Sequence, residues 1–380
     1  MSYSYLSSQA LMIFDETRNR AYLEAMRPHI NSETVVLDLG AGLGVLGLMA
    51  AKLGARRVYC VEPSPVSRHI APLAVANDVE DRVVVLRSRI EEVELPEKVD
   101  IILSVFTGNL LFTEGLLPSL YLARDRFLKP GGILIPDQCR LMLRAVNAAS
   151  QHREAVGRFR ERSLEIDYSI LAPVAASEPH WLRKGSSPPI GISSALVAIE
   201  LDLERENIDT VAIEAQVECE VDGEVNAVLG WIELRLGTSW LSTAPDQPEV
   251  HWSPAILPIA TSVAVRRGDI LQVSYRFVDD QQIFWSIGAG QVNQRQSTLM
   301  SNADIAVELI LSSPGCANML TEHGKMVAYV LNKISQGETN AAIAEVLPRE
   351  FPKLIPNGQV ASKAVGRISA RYRAHPARPS

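Results

Sequence analysis

The segment Asp38-Leu39-Gly40-Ala41-Gly42-Leu43-Gly44 constrains this chain more than any other, because it sets glycines at alternate positions between an apolar run and a helix. The run is Val35-Val36-Leu37, and the helical pattern that follows carries Leu46, Leu48 and Met49. Glycine has no Cβ, so backbone of this kind turns sharply and lets a ligand come close. A glycine pattern alone is weak evidence for a nucleotide site. Glu62 sharpens it: the carboxylate closes a second apolar run, where it accepts hydrogen bonds from both hydroxyls of a ribose. The spacing is G-x-G-x-G, not the G-x-G-x-x-G of pyrophosphate binders, and Asp38 lies within the strand end. Both features point to S-adenosyl-L-methionine, which has no pyrophosphate to seat on a helix N-terminus.

Further apolar runs recur at Val58-Tyr59-Cys60-Val61, at 83–86, at 99–103 and at Ile133-Leu134-Ile135, separated by segments of helix length. Runs this apolar indicate parallel strands covered on both faces. The expected class is α/β, with a Rossmann-like doubly wound domain over 31–138 and an N-terminal helical segment over 1–30. Ligands in such sheets bind at the carboxyl ends of strands. That rule brings in Ile90 and Glu91, whose carboxylate suits an adenine amino group, and the stretch from Ser104 to Glu114, where an acceptor would meet the sulfonium. From about Leu196 the texture changes to alternation, as in Ala212-Ile213-Glu214-Ala215-Gln216-Val217, so 139–312 is expected to be an antiparallel β-barrel-like domain. Beyond Pro314, Met326, Val327, Val330, Leu331 and Ile334 follow a helical period that stops at Gly337, and a second helix opens near Thr339. Residues 313–380 are therefore expected to form a small helical appendage.

A chain of 380 residues exceeds one ordinary domain. Its 44 acidic against 37 basic residues weigh against a nucleic-acid-coating role. One local exception is the end of the chain, where Arg349, Lys353, Lys363, Arg367, Arg371, Arg373 and Arg378 face Glu350 alone, as a solvated tail or a docking surface. Cys60, Cys139, Cys219 and Cys316 are too scattered for a zinc site or a disulfide framework, so no metal is expected. No leader pattern precedes Ala10 and no apolar stretch reaches about 18 residues, which gives a cytoplasmic expectation with no membrane partner. Trp231, Trp240 and Trp285 occupy strand-like positions and read as barrel core or arm packing.

Several motifs share one family likeness: the stretch Val36 to Leu46; Glu91-Glu92-Val93-Glu94-Leu95-Pro96 with Lys98 to Ile102; Leu120 to Gly132 with Ile135-Pro136-Asp137; Asp15-Glu16-Thr17-Arg18; and His251-Trp252 after Val250. Over roughly Tyr3 to Leu311 the chain resembles the protein arginine methyltransferases. The resemblance implies that Arg18 grips the methionine carboxylate and that His251 pairs with Asp15. It also implies that the insert 152–180 is a dimerisation arm, hence a homodimer. With Asp38, Gly40, Gly42, Gly44, Glu62, Ile90, Glu91 and Ser104, Arg18 completes the expected cofactor set. Glu114, His251 and Asp15 are the expected catalytic set.

The chain departs from the family in the substrate loop. That loop carries two glutamates in the family, whereas here Ser104-Val105-Phe106-Thr107-Gly108 precedes Glu114 and Val105 takes the first glutamate's place. A guanidinium, with a pKa above about 12, is a poor nucleophile that two carboxylates bind and polarise. Loss of one such partner costs about 3 to 5 kcal/mol. The favoured reading is thus a methyltransferase acting on a non-standard acceptor, a small molecule or a peptide side chain. The alternatives are arginine N-methylation, free or peptidyl, with another carboxylate filling the gap, and a cofactor-binding pseudoenzyme or regulatory subunit. The C-terminal helices lie outside the resemblance to that family; they loosely resemble winged-helix modules that capture leader peptides, or form a plain helical cap.

Overall fold

Five parallel strands, β1 (Val35–Leu39), β2 (Arg57–Val61), β3 (Val83–Leu86), β4 (Val99–Ser104) and β5 (Leu128–Ile135), make one sheet in the order β3-β2-β1-β4-β5. All five residues of β1 are buried, as expected for a central strand covered on both faces. Helices α3 (Val45–Lys52), α4 (Ile70–Ala76) and α5 (Leu117–Phe127) connect successive strands, and α1 (Leu6–Ile13) and α2 (Glu16–Met26) precede them. Strand order reverses at β1, which opens a crevice at the carboxyl ends of β1 and β4. The computed structural model describes residues 5–279, 282–302 and 319–372.

The antiparallel region begins at once, with β6 (Gln138–Asn147), well before the alternation near Leu196. In β6 buried and part-exposed residues alternate, but Arg140 and Arg144 interrupt the apolar character of the run. A seven-stranded sheet built on β6 and the long strand Gly223–Leu236 stands beside a four-stranded sheet. Trp285, 1% exposed, belongs to the core shared with the parallel sheet, whereas Trp231 sits in a separate small cluster. Trp240 is half-buried under the Arg140 guanidinium. The two sheet regions are fastened by Asp137, whose carboxylate accepts from Arg235 Nε and Nη2 at 2.8 and 2.5 Å. Arg124 adds donations to the Leu203 and Glu206 carbonyls. Within the insert 152–180, short helical turns flank a two-stranded ribbon whose turn residues, Leu164 and Glu165, hold positive φ.

The chain divides into two compact units, Met1–Ala306 and Val307–Ser380. The expected boundary at 312/313, with Pro314 and Cys316, falls outside the described residues. The second unit has helices Glu322–Ser335, Asn340–Glu350 and Gly358–Tyr372 around a core of its own that includes Met326, Val330, Ile343, Leu347 and Val365. Gly337 takes φ +83° at the end of the first helix, and Thr339 caps the second through Ala342 N, as the pattern predicts. A winged helix needs strands; among the described residues this unit has none. No helix among them is long and apolar enough to cross a membrane.

Candidate functional site

The glycine turn leaves β1 with Gly40, Gly42 and Gly44 at φ +71°, +56° and +81°, a region that side chains with a Cβ avoid. Gly40 N and Ala41 N both donate to Val61 O, which ties the turn to β2. Glu62 completes the tie: Oε2 accepts from Gly42 N at 2.9 Å and Oε1 from Ser64 N at 2.7 Å. Each oxygen keeps another lone pair for a hydroxyl donor. Gln9 of α1 lies over the turn, so close that a Cβ on Gly42 would stand 2.8 Å from its Oε1. Nothing in the sequence around Gln9 marks it.

Asp38 lies beneath this turn rather than facing an open pocket. It is 2% exposed and its Oδ2 accepts from Gly47 N at 2.8 Å. Burial pushes its carboxyl up to about 7 despite that bond. Gly47 was missed in the sequence because it falls inside a helical pattern; a Cβ there would meet Cys60 Sγ at 2.6 Å and Asp38 Oδ2 at 2.9 Å. Ser104 ends β4, 2% exposed, with its Oγ donating to Leu39 O at 3.3 Å. Its own carbonyl accepts from Tyr22 Oη at 2.9 Å. Ile90 is buried, while Glu91 is exposed and accepts from Ser119 Oγ at 2.7 Å, which lowers its pKa.

Arg18 tests whether the crevice suits a carboxylate-bearing ligand. Its side chain is 1% exposed, with Nε and Nη2 donating to Asn19 Oδ1 and Nη2 to Met12 O. Among the described residues no carboxylate forms an ion pair with it. Burying the cation has a cost that Asp15 and Asp38 offset only at longer range, without direct contact. An amino-acid carboxylate delivered by a ligand removes that cost, so the residues present fit S-adenosyl-L-methionine.

On the acceptor side, three distant segments meet. Asp15 caps α2: Oδ1 accepts from Arg18 N at 3.0 Å, and Oδ2 accepts from His251 N at 2.7 Å and from His251 Nδ1 at 3.0 Å. Burial raises the Asp15 pKa, but the bonds from His251 and Arg18 outweigh it and the net direction is down. Burial also takes His251 below its usual 6.5, against the pull of Asp15. The pair therefore consists of a carboxylate and a neutral imidazole. With the proton on Nδ1, Nε2 carries the lone pair.

Trp252, its ring 4.1 Å from that of His251, donates Nε1–H to Thr107 O at 2.9 Å, and Ser253 N donates to Asn109 Oδ1 at 3.0 Å. These bonds hold the loop after β4. Within it Thr107 Oγ1 bonds to the Gly108 and Leu111 carbonyls, and Leu110, Leu111 and Phe112 are buried. Glu114 emerges exposed at φ +87°, following Leu111 at +64°. Such conformations cost about 1 to 3 kcal/mol each and persist only when the surroundings impose them. Val105 is half-buried against the core.

Known proteins are similar to this chain in sequence and in fold. Residues 138–284 match the model of the arginine methyltransferase oligomerization subdomain, and 18–136 that of ribosomal protein L11 methyltransferase. Protein arginine N-methyltransferase PRMT10 of Oryza sativa subsp. japonica is 31% identical, over 74% of this chain and 83% of its own. Protein arginine N-methyltransferase 8-B of Danio rerio is 29% identical over 70% of this chain, which spans 65% of that relative's length. Among solved structures, the Trypanosoma brucei PRMT1 enzyme-prozyme heterotetrameric complex with AdoHcy aligns with a TM-score of 0.69 at 23% identity, over 78% of this chain and 99% of that one. The Arabidopsis thaliana protein arginine methyltransferase 10 aligns with 0.67 at 22% identity, over 78% and 99%.

Proposed function

This chain belongs to the protein arginine N-methyltransferase family and is an S-adenosyl-L-methionine-dependent methyltransferase, and from that premise we propose that its acceptor is an arginine guanidinium, peptidyl or free, held by the single loop carboxylate Glu114. The relatives' names support arginine over the non-standard acceptor that Val105 suggests by itself. The observation that carries the proposal is the stapling of the Glu114 loop, through Trp252 and Thr107, to a neutral His251 paired with an ionised Asp15. A regulatory-subunit reading rests on Val105, and the retained cofactor residues weigh against it.

On this reading Gly40, Gly42 and Gly44 let the cofactor approach, Glu62 accepts from the ribose hydroxyls and Arg18 binds the methionine carboxylate. Asp38 acts through Gly47, holding the turn. Ile90 and Ser104 shape the walls, and Glu91 stands at the adenine end, shared with Ser119. The bound sulfonium supplies an activated methyl group. Glu114 grips the guanidinium and orients the reacting nitrogen; positioning is the larger part of such catalysis. The methylated guanidinium sheds one proton and stays cationic, and His251 Nε2 accepts that proton while Asp15 fixes its tautomer.

Incubation with methyl-labelled cofactor against free arginine and arginine peptides tests the proposal. Label on a guanidinium nitrogen is expected; label only on other atoms, or none despite cofactor binding, overturns it. A homodimer is part of the same reading. Exposed Leu164, Ile166, Ile170 and Leu171 on the insert and Leu6, Leu11 and Phe14 near α1 are two apolar patches on separate elements, and such patches mark association surfaces. Light scattering on the purified chain gives the mass that decides it.

A further inference from the structure

The second unit, outside the family resemblance, distributes its charge unevenly. Its described residues, 319–372, carry seven Lys or Arg against four Glu in a chain whose net charge is −7. On the first helix the lysines are neutralised locally: Lys325 pairs with Glu322 at 2.8 Å and Lys333 with Glu338 at 2.7 Å. The third helix, Gly358–Tyr372, contains no acidic residue. It buries Ala361, Val365 and Ile368 and exposes Lys363, Arg367 and Arg371. Among the described residues none of these three is in an ion pair.

Spaced four apart, the three cations form a row with a rise of about 6 Å between neighbours. Like charges at that spacing weaken a helix, and an anionic partner relieves that repulsion. Beside the row runs a second one of small residues, Ser362, Gly366 and Ala370, of which Ser362 and Ala370 are exposed. An extended chain fits along such a shelf. Its alternate side chains repeat every 6.6 Å or so, close to the spacing of the cations.

We propose that this helix docks an acidic tract of the protein substrate, with Asp or Glu at alternate positions, while the arginine to be methylated belongs to another segment of the same substrate. The inference rests on the peptidyl form of the acceptor proposed above. The surface favours a peptide over single-stranded nucleic acid. Single-stranded nucleic acid binds on exposed aromatic platforms, and on this helix only Tyr372, already beneath Arg371, could serve as one. Docking by a second segment raises the local concentration of the arginine without adding a contact at the reacting atom.

Fluorescence anisotropy with the full chain tests this apart from any methylation. The probe is a labelled peptide holding four alternate Asp residues and a Lys in place of the arginine; the control has Ser for Asp. Wild type should bind the Asp peptide about tenfold more tightly, the combined scale of three exposed ion pairs. The preference should vanish in K363E/R367E/R371E and near 1 M salt. Helical content of the variant by circular dichroism, equal to wild type, keeps the comparison fair. Equal affinity for both peptides, an unchanged preference in the variant, or tighter binding of a single-stranded RNA through the same residues overturns the proposal. If the arginine versions of the peptides are never methylated yet the preference holds, the acceptor reading fails and the docking surface stands.

Discussion

The cofactor cradle and the acceptor loop meet at the ends of β1 and β4, yet they are built by different means. The cradle is backbone: glycines at positive φ, two amides on Val61 O, and one carboxylate closing onto Gly42 N. The acceptor loop is held through side-chain bonds to a distant segment, Trp252 donating to Thr107 O and the loop's own Asn109 accepting from Ser253 N, with two non-glycine residues in left-handed conformations. A backbone cradle fixes one ligand and tolerates little change. A loop held by a few staples lets its chemistry vary, and there this chain has Val105.

The largest expected effect falls on the cradle. Gly42→Arg puts a Cβ 2.8 Å from Gln9 Oε1 and fills the turn, so calorimetry should detect no binding of the cofactor or its demethylated product. Affinity within tenfold of wild type would move the cofactor elsewhere. Glu114→Gln should leave that affinity intact and lower turnover by roughly two to four orders of magnitude, the scale of breaking one charged pair. Near-normal turnover would remove Glu114 from the mechanism and erase the contrast between the two regions.

A smaller effect concerns pH. His251 is held below 6.5, so the neutral form that accepts a proton prevails at pH 7 and is lost only as pH falls through that depressed value. The acid limb of kcat should lie below 6.5. In Asp15→Asn the carboxylate that raises the His251 pKa is gone, so the limb should shift to lower pH, with kcat down about tenfold; Asn still caps α2. A limb that stays in place would mean that another group takes the proton.

The same division explains what could be read from the sequence. The apolar strand runs, the glycine turn and Glu62 are local patterns, and Gly337 and Thr339 mark their helix ends within a few residues. Gln9, Gly47, Tyr22 and Asn109 carry no such mark, because each matters through a residue remote in the chain or hidden inside a helical repeat. Asp15 and His251 stand 236 positions apart; only family likeness joined them in advance. Asp38 is marked by its strand-end position, while the bond that its Oδ2 accepts from Gly47 N carries no mark in the sequence. In β6 the alternation is legible as well, since Arg140 and Arg144 fall on its part-exposed positions between buried Cys139, Leu141, Leu143 and Ala145.

The smallest effect is also the one that sharpens the comparison most. Val105→Glu restores a second carboxylate to the loop without touching the cradle. Val105 is half-buried against the core, so the new charge loses some packing and some hydration. A guanidinium partner offsets that loss, and an absent one does not. If arginine is the acceptor, kcat/KM for an arginine peptide should rise by up to about tenfold, since the second carboxylate adds a charge-assisted bond worth roughly 1.4 kcal/mol. Cofactor affinity should not change. If the acceptor carries no cation, the same substitution adds an uncompensated buried charge and activity falls, so the sign of the change separates the two acceptor chemistries.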